Sequence, residues 1–242
     1  MPAPFATVWR AFTAWALPAA CLGCDAPAAP DTLLCLPCEA LLRPASQAPA
    51  PPLQGLGVDV HAAFRYDVAS APLLTRYKFH EDLAAGRALA ALALPTFRSA
   101  PRPQALVPIP LHRRRLRQRG HDQALGLAHD WGRALRLPVL GEALRRERDT
   151  RPQTELDAKD RARNLDAAFR ARTGLPGHLA LVDDVLTTGS TAAAAVRALH
   201  AVGVTRVDVW VVARARGPAT AAPRTAPAGP GARTARAGRA GC

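Results

Sequence analysis

Residues 181–191 read Leu-Val-Asp-Asp-Val-Leu-Thr-Thr-Gly-Ser-Thr (LVDDVLTTGST), and the reading of this stretch decides the fold. The apolar run at 179–182 predicts a short strand that ends on two adjacent carboxylates, Asp183 and Asp184. Thr187, Thr188, Gly189, Ser190 and Thr191 then turn the chain into an Ala-rich helix over 189–202, which Gly203 stops. Residues 206–213 are β-rich, so strand, helix and strand follow in the order of a βαβ unit with a parallel sheet.

In such sheets ligands bind in the crevice outside the carboxyl ends of the strands. Asp183 and Asp184 stand where they can accept hydrogen bonds from a vicinal diol. The turn behind them offers backbone N–H groups and hydroxyls at a helix amino end, which is an anion nest. Gly189 lets the backbone approach closely. The helix dipole adds about 0.3–1 kcal/mol for a negative group at an exposed site. The plainer alternative is that Ser and Thr only cap the helix and the acids sit in a solvated turn. It leaves unexplained why two carboxylates directly precede a nest. No Gly-Lys-Ser/Thr follows, so a P-loop is excluded.

Working outward, residues 58–66 alternate as a strand, and 71–79 and 82–94 have helical spacing. Residues 106–109 form a short buried-type strand ending at Pro110, 123–135 resume helical spacing, and 139–145 are expected to be a further strand. Residues 149–164 are polar and almost free of apolar period, as in a mobile loop. From 217 onward Ala, Pro, Gly, Arg and Thr dominate, and disorder is expected.

The chain has 242 residues and a net charge of +13, carried by 32 basic residues of which only Lys78 and Lys159 are lysines. Arginine drift in a GC-rich genome would produce this bias without function. Clusters at 113–119, 145–151 and in the tail equally suit a polyanionic partner. No apolar stretch is long enough to cross a membrane, so no membrane insertion is expected. The run at 11–20 before Cys21 imitates a lipoprotein signal, but Pro18 interrupts it and Cys21 belongs to a better pattern. A cytoplasmic location follows as the expectation.

That pattern is Cys21-x-x-Cys24 and Cys35-x-x-Cys38, two knuckles of soft ligands. In a reducing compartment four thiolates favour a structural Zn²⁺ site, with redox-active dithiols as the alternative. A Pro- and Ala-rich stretch at 44–52 follows and reads as a linker. The expected organisation is a zinc-binding module with its linker over 1–54, an α/β domain over 55–216 and a tail over 217–242.

The 181–191 stretch resembles the phosphoribosyl-pyrophosphate motif of type I phosphoribosyltransferases. The resemblance implies a parallel sheet flanked by helices and Mg²⁺-dependent transfer from phosphoribosyl pyrophosphate. It also implies that Asp183, Asp184, Val185, Leu186, Thr187, Thr188, Gly189, Ser190 and Thr191 form the phosphate- and ribose-binding run. In that run Asp183 and Asp184 are the catalytic candidates on the ribose hydroxyls, and 187–191 take the 5′-phosphate. The paired Cys-x-x-Cys motifs narrow the likeness to the ComF family of competence-associated proteins. So do Val107-Pro108-Ile109-Pro110-Leu111, Arg119-Gly120 and Asp122-Gln123-Ala124. Arg148, Thr150, Gln153, Leu156, Arg161 and Asn164 complete it. By this resemblance Arg119 and Gly120 contact pyrophosphate, and 148–164 close over the ligand. His121-Asp122 departs from the usual Phe-Asn of that family. Two functions are expected from the likeness. One is a phosphoribosyltransferase in nucleotide salvage or DNA uptake; the other is a non-catalytic competence protein handling single-stranded DNA with DNA-uptake proteins.

Overall fold

The computed structural model describes residues 20–29, 32–79, 82–111, 116–117, 120–147 and 168–215. In chain order these form α1 (Leu36–Leu41), a 3-10 turn (Pro51–Leu53), β1 (Asp59–Arg65), α2 (Ala71–Phe79), α3 (Leu83–Arg98) and β2 (Ala105–Pro108). There follow α4 (Gln123–Leu135), β3 (Leu144–Arg146), β4 (Phe169–Ala171), β5 (His178–Leu186), α5 (Ser190–Ala201) and β6 (Arg206–Arg214). Four strands pair in the order β1-β6-β5-β2, every pair parallel, while β3 and β4 form a separate antiparallel hairpin. The parallel α/β sheet expected from the βαβ pattern is the fold.

Both faces of the sheet are covered, which is why its strands carry apolar residues at consecutive positions. Leu179, Leu181, Val207 and Val209 pack in one core with α5 and the β3–β4 hairpin. Ala180, Val182, Trp210 and Val212 pack in the other with α2, α3 and α4. On that second face Phe97 stacks on Trp210 with centroids 4.8 Å apart and tilts against Trp131 at 4.3 Å. On the first face Ala192, Ala193, Ala194 and Ala195 of α5 are all buried, so the helix lies close over β5 and β6.

At the amino ends of the strands, the fully buried Asp208 receives Arg206 Nε at 3.1 Å and lies 3.0 Å from His178 Nε2, with His61 Nε2 at 3.9 Å. Arg206 also reaches Asp59 at 3.0 Å. That edge is closed by its own ion pairs. The opposite, carboxyl edge carries the acids Asp183 and Asp184.

Two helices that flank the carboxyl edge begin on aspartate caps. Asp82 accepts from Ala85 N–H at 2.9 Å and Asp122 from Leu125 N–H at 3.0 Å, each cap contributing about 1 kcal/mol. Between them Tyr77 of α2 donates its buried hydroxyl to Gln123 O at 2.9 Å. Its ring occupies the space that a Cβ would need at Gly86 of α3 and at Gly126 of α4, with approaches of 2.4 Å and 2.6 Å. One aromatic side chain thus locks α2 onto both neighbouring helices.

The Pro- and Ala-rich stretch does more than join two parts. Pro44 bridges Phe64 on the outer side of β1, and the Gln47 side chain bonds both Ala62 N–H and Ala62 O at 2.9 Å. It satisfies the open edge of the sheet, a position otherwise prone to unwanted pairing. Ala50 and Leu53 are buried against the start of α5.

Three further differences from the sequence expectations have local causes. β5 runs through Leu186 rather than ending at Val182, because β6 continues beside it and pairs Ala213 with Val185 and Arg214 with Leu186. The strand expected over 139–145 divides. Val139 makes only an isolated bridge to Leu106, and a turn at Gly141 redirects the chain into β3. Its partner β4 carries too few residues to show a period. Residues 149–164 and 217–242 lie outside the described residues.

Gly86→Ala forces a methyl group into the Tyr77 ring. It is expected to destabilise the protein by about 1–3 kcal/mol, the usual cost of overpacking, as measured by urea unfolding. An Ala at the open Gly55 meets no neighbouring atom and only the strained backbone at φ +77°, so it should cost less.

Candidate functional site

The carboxyl edge of the sheet gathers the ends of β5 and β2, the start of α5, the start of α4 and the last turn of α2. Asp183 and Asp184 lie within β5, and the strand carries them there because Asp183 pairs with Val211 in the parallel ladder. Asp184 is buried and Asp183 half-buried. Asp183 Oδ1 accepts the backbone N–H of Asp184 at 2.8 Å.

The residue that answers these acids is Lys78, whose Nζ lies 3.1 Å from Asp184 Oδ2. It stands on the last turn of α2, beside the Tyr77 clamp. Burial, and next the adjacent Asp184 charge, push the Asp183 carboxyl up to about 7, while its bond from the Asp184 N–H and the Lys78 ammonium pull the other way. Sequence reading did not select Lys78. The available signal was compositional, a lysine retained in a chain whose other cations are almost all arginine.

After Leu186 the chain turns through Thr187 and Thr188, both exposed, to Gly189, which is the N-cap of α5 at φ +84°. No side chain caps the helix. Its first-turn N–H groups have no intrahelical partner, and among the described residues only the Ser190 N–H meets a side-chain oxygen, at the long distance of 3.4 Å, so the turn keeps the open donors of a nest. Thr188 Oγ1 lies 3.2 Å from Ser190 Oγ and accepts the Ser190 N–H at 3.4 Å, which folds the turn inward. Gly189 is fixed twice over, by its positive φ and by Ala50, which stands 2.9 Å from where a Cβ would be. Ser190 and Thr191 are half-buried, Val185 is half-buried, and Leu186 is buried in the α5 core.

Asp122 has a positional role. One oxygen caps α4, and the other accepts Leu111 N–H at 3.2 Å, tying the end of β2 to the start of that helix. An asparagine oxygen could make only one of these contacts at full strength, so the departure from Phe-Asn leaves the cap intact. His121 packs on Tyr77 with centroids 5.2 Å apart and sits 3.2 Å from Gln123 Nε2. Gly120 is exposed at φ +69° and donates to Leu116 O at 3.0 Å. Arg119 lies outside the described residues, as do residues 112–115 and 148–164.

At the flank of α2 the four cysteines Cys21, Cys24, Cys35 and Cys38 bring their sulfurs within 4.8 Å of one another. A tetrahedral zinc with bonds of 2.3 Å sets neighbouring sulfurs about 3.8 Å apart, and Cys24 and Cys35 stand at 3.7 Å. Cys21 Sγ is buried, which raises its thiol. The N–H groups of Cys35 and Gly23, each at 3.3 Å, outweigh burial and lower it to about 6. Cys38, crowded by the Cys24 and Cys35 sulfurs, is pushed up to about 12. Four sulfurs gathered at this spacing, one of them lowered toward the thiolate, fit a zinc-ribbon module and can hold a metal such as zinc. Arg76 of α2 fastens the module to the sheet domain, donating to Leu22 O at 2.9 Å while gripping Asp82 at 2.7 Å. Among the described residues no helix is long and apolar enough to cross a membrane.

The architecture defines a class: a parallel α/β protein whose acidic strand end faces an uncapped helix start, with a four-cysteine module on its side. Among known proteins the chain is 38% identical over 153 residues to competence protein F of Haemophilus influenzae, covering 59% of this chain and 67% of that protein. It is 37% identical over 166 residues to the DNA utilization protein YhgH of Escherichia coli K12, covering 68% of each. The YhgH protein of Salmonella typhimurium is 34% identical over 201 residues, covering 80% and 83%. No protein-family model matches. At these identities and coverages the chain belongs to the ComF family.

Two outcomes test the site. Purified protein is expected to carry one zinc per chain by elemental analysis, and Cys35→Ser, which removes one ligand and its knuckle, should abolish that content and lower the melting temperature. Asp183 should make stability fall as pH rises. Its folded value near 7 exceeds the ordinary 3.8, so its favourable share is full below 3.8 and is lost by about 7. Asp183→Asn should therefore gain stability relative to the unsubstituted protein between pH 4 and 7, with the gain levelling above 7, as measured by urea midpoints across pH.

Proposed function

We propose that the protein binds phosphoribosyl pyrophosphate at the carboxyl edge of the sheet and acts in the use or uptake of DNA. The observation that carries the ligand assignment is the uncapped turn at 187–191 directly behind Asp183 and Asp184. A 5′-phosphate would sit on the N–H groups of Gly189, Ser190 and Thr191 and on the hydroxyls of Thr187 and Thr188. Asp183 and Asp184 would accept from the ribose hydroxyls, with Val185 and Leu186 as the wall between. The DNA assignment draws on the names of the relatives, a competence protein and DNA utilization proteins.

As an enzyme the protein would let pyrophosphate leave C1 of the ribose with the bonding pair while an acceptor nucleophile forms the new bond to C1, the two carboxylates stabilising the positive charge that develops there. Preorganised charges in a site partly shielded from water are the strongest means available for such a step. Arg119, beside the open backbone of Gly120, is the proposed pyrophosphate contact. The resemblance also calls for Mg²⁺. Asp184 is already paired with Lys78, and Asp183 accepts a backbone N–H, so the two acids do not make a ready cation site. Mg²⁺ would arrive on the pyrophosphate.

A second reading is favoured by the net charge of +13: a non-catalytic protein that holds single-stranded DNA on its arginines beside the cysteine module. Calorimetric titration with phosphoribosyl pyrophosphate and Mg²⁺ separates the two. Binding in the micromolar range that Asp183→Asn with Asp184→Asn weakens at least about tenfold supports the pocket reading. No heat at millimolar ligand, together with salt-dependent DNA binding unaffected by the two substitutions, supports the second.

A further inference from the structure

We propose that Lys78 is the positioning and charge-compensating residue of this site, holding Asp184 in place and cancelling one of two adjacent carboxylate charges so that an anionic sugar phosphate can approach. The inference rests on the pocket reading above and adds to it a residue that the 181–191 motif does not contain.

The physical problem is plain. A phosphoribosyl donor carries several negative charges, and a site that meets it with two neighbouring carboxylates repels it before any hydrogen bond forms. The ammonium of Lys78, 3.1 Å from Asp184 Oδ2, removes that repulsion from one of the two. Both partners are largely shielded, at 21% and 10% side-chain exposure, so water screens the pair weakly. Among the described residues Asp122 at the start of α4 also acts on Asp183, and Tyr77 on α2 feels Asp184; the charged forms of both are negative, while His121, packed on the Tyr77 ring, is the basic side chain next to them. Among the described residues Lys78 is the cation in direct contact with this acidic pair.

Its placement is rigid. Tyr77, one residue earlier, is wedged against Gly86 and Gly126 and bonded to Gln123 O, and Arg76, two residues earlier, is pinned between Leu22 and Asp82. The ammonium is therefore delivered by a helix turn fixed on three sides. A compact point charge on a flexible stem suits this spot, where it can stay on Asp184 or lean toward an arriving phosphate oxygen.

The test uses the full chain, with Lys78→Met to remove the charge and Lys78→Arg to keep it. In the free protein, the carboxyl-carbon NMR titration of Asp183 should move to higher pH in Lys78→Met and return toward its starting value, near 7, in Lys78→Arg. Calorimetry with phosphoribosyl pyrophosphate should show at least about tenfold weaker binding in Lys78→Met and recovery to within about threefold in Lys78→Arg. A merely structural lysine would lower the melting temperature without moving the Asp183 titration. Unchanged titration and unchanged affinity in Lys78→Met overturn the role of Lys78 while the pocket reading stands. If the unsubstituted protein binds no phosphoribosyl pyrophosphate, the pocket reading falls and the role for this ligand falls with it, even where the Asp183 titration still shifts.

Discussion

Two carboxylates at the end of a buried strand are an electrostatic burden, and much of the carboxyl edge is arranged around it. Asp184 is compensated by Lys78 at 3.1 Å; Asp183, among the described residues, has a single N–H donor and a carboxyl raised to about 7. A core selected for stability alone would place apolar residues there, as it does two positions earlier at Leu181 and Val182. Keeping the acids costs stability, and that cost falls at the strand end beside the helix start where the ligand is proposed to bind.

The elements that hold this arrangement are remote from it in sequence. Tyr77 joins α2 to α3 and α4 and so fixes where Lys78 stands. Ala50 and Leu53, from the stretch that follows the cysteine module, press on Gly189 from behind. Arg76 links the same helix to the module itself. The cysteine module and the sheet domain thus share α2, and a metal held by Cys21, Cys24, Cys35 and Cys38 would stiffen the base on which Lys78 rests.

The sheet was legible in the sequence wherever a period or an apolar run extended over several residues. The helices Ala71–Phe79 and Gln123–Leu135 begin and end where their spacing says, and the strands flanking α5 are where the βαβ pattern puts them. The end of β5 was not legible, because Asp183 and Asp184 are kept in the ladder by β6, a tertiary partner that local pattern cannot supply. The hairpin of β3 and β4 was missed because three-residue strands carry no period. The role of the 44–53 stretch was missed because Pro and Ala look alike in a linker and in a packed edge. Within the site, the acids and the turn were read from adjacency in sequence. Lys78 comes from a different helix about a hundred residues away, and only the fold brings it to Asp184.

The most direct measurement is an amide chemical-shift map of the full chain during titration with ribose 5-phosphate, the smallest molecule that carries both the ribose and the phosphate of the proposed ligand. The largest shifts should fall at Gly189, Ser190 and Thr191 and at Asp183 and Asp184. Shifts confined to the cysteine module or to the arginine-rich segments, with the 183–191 amides unmoved, would contradict the account.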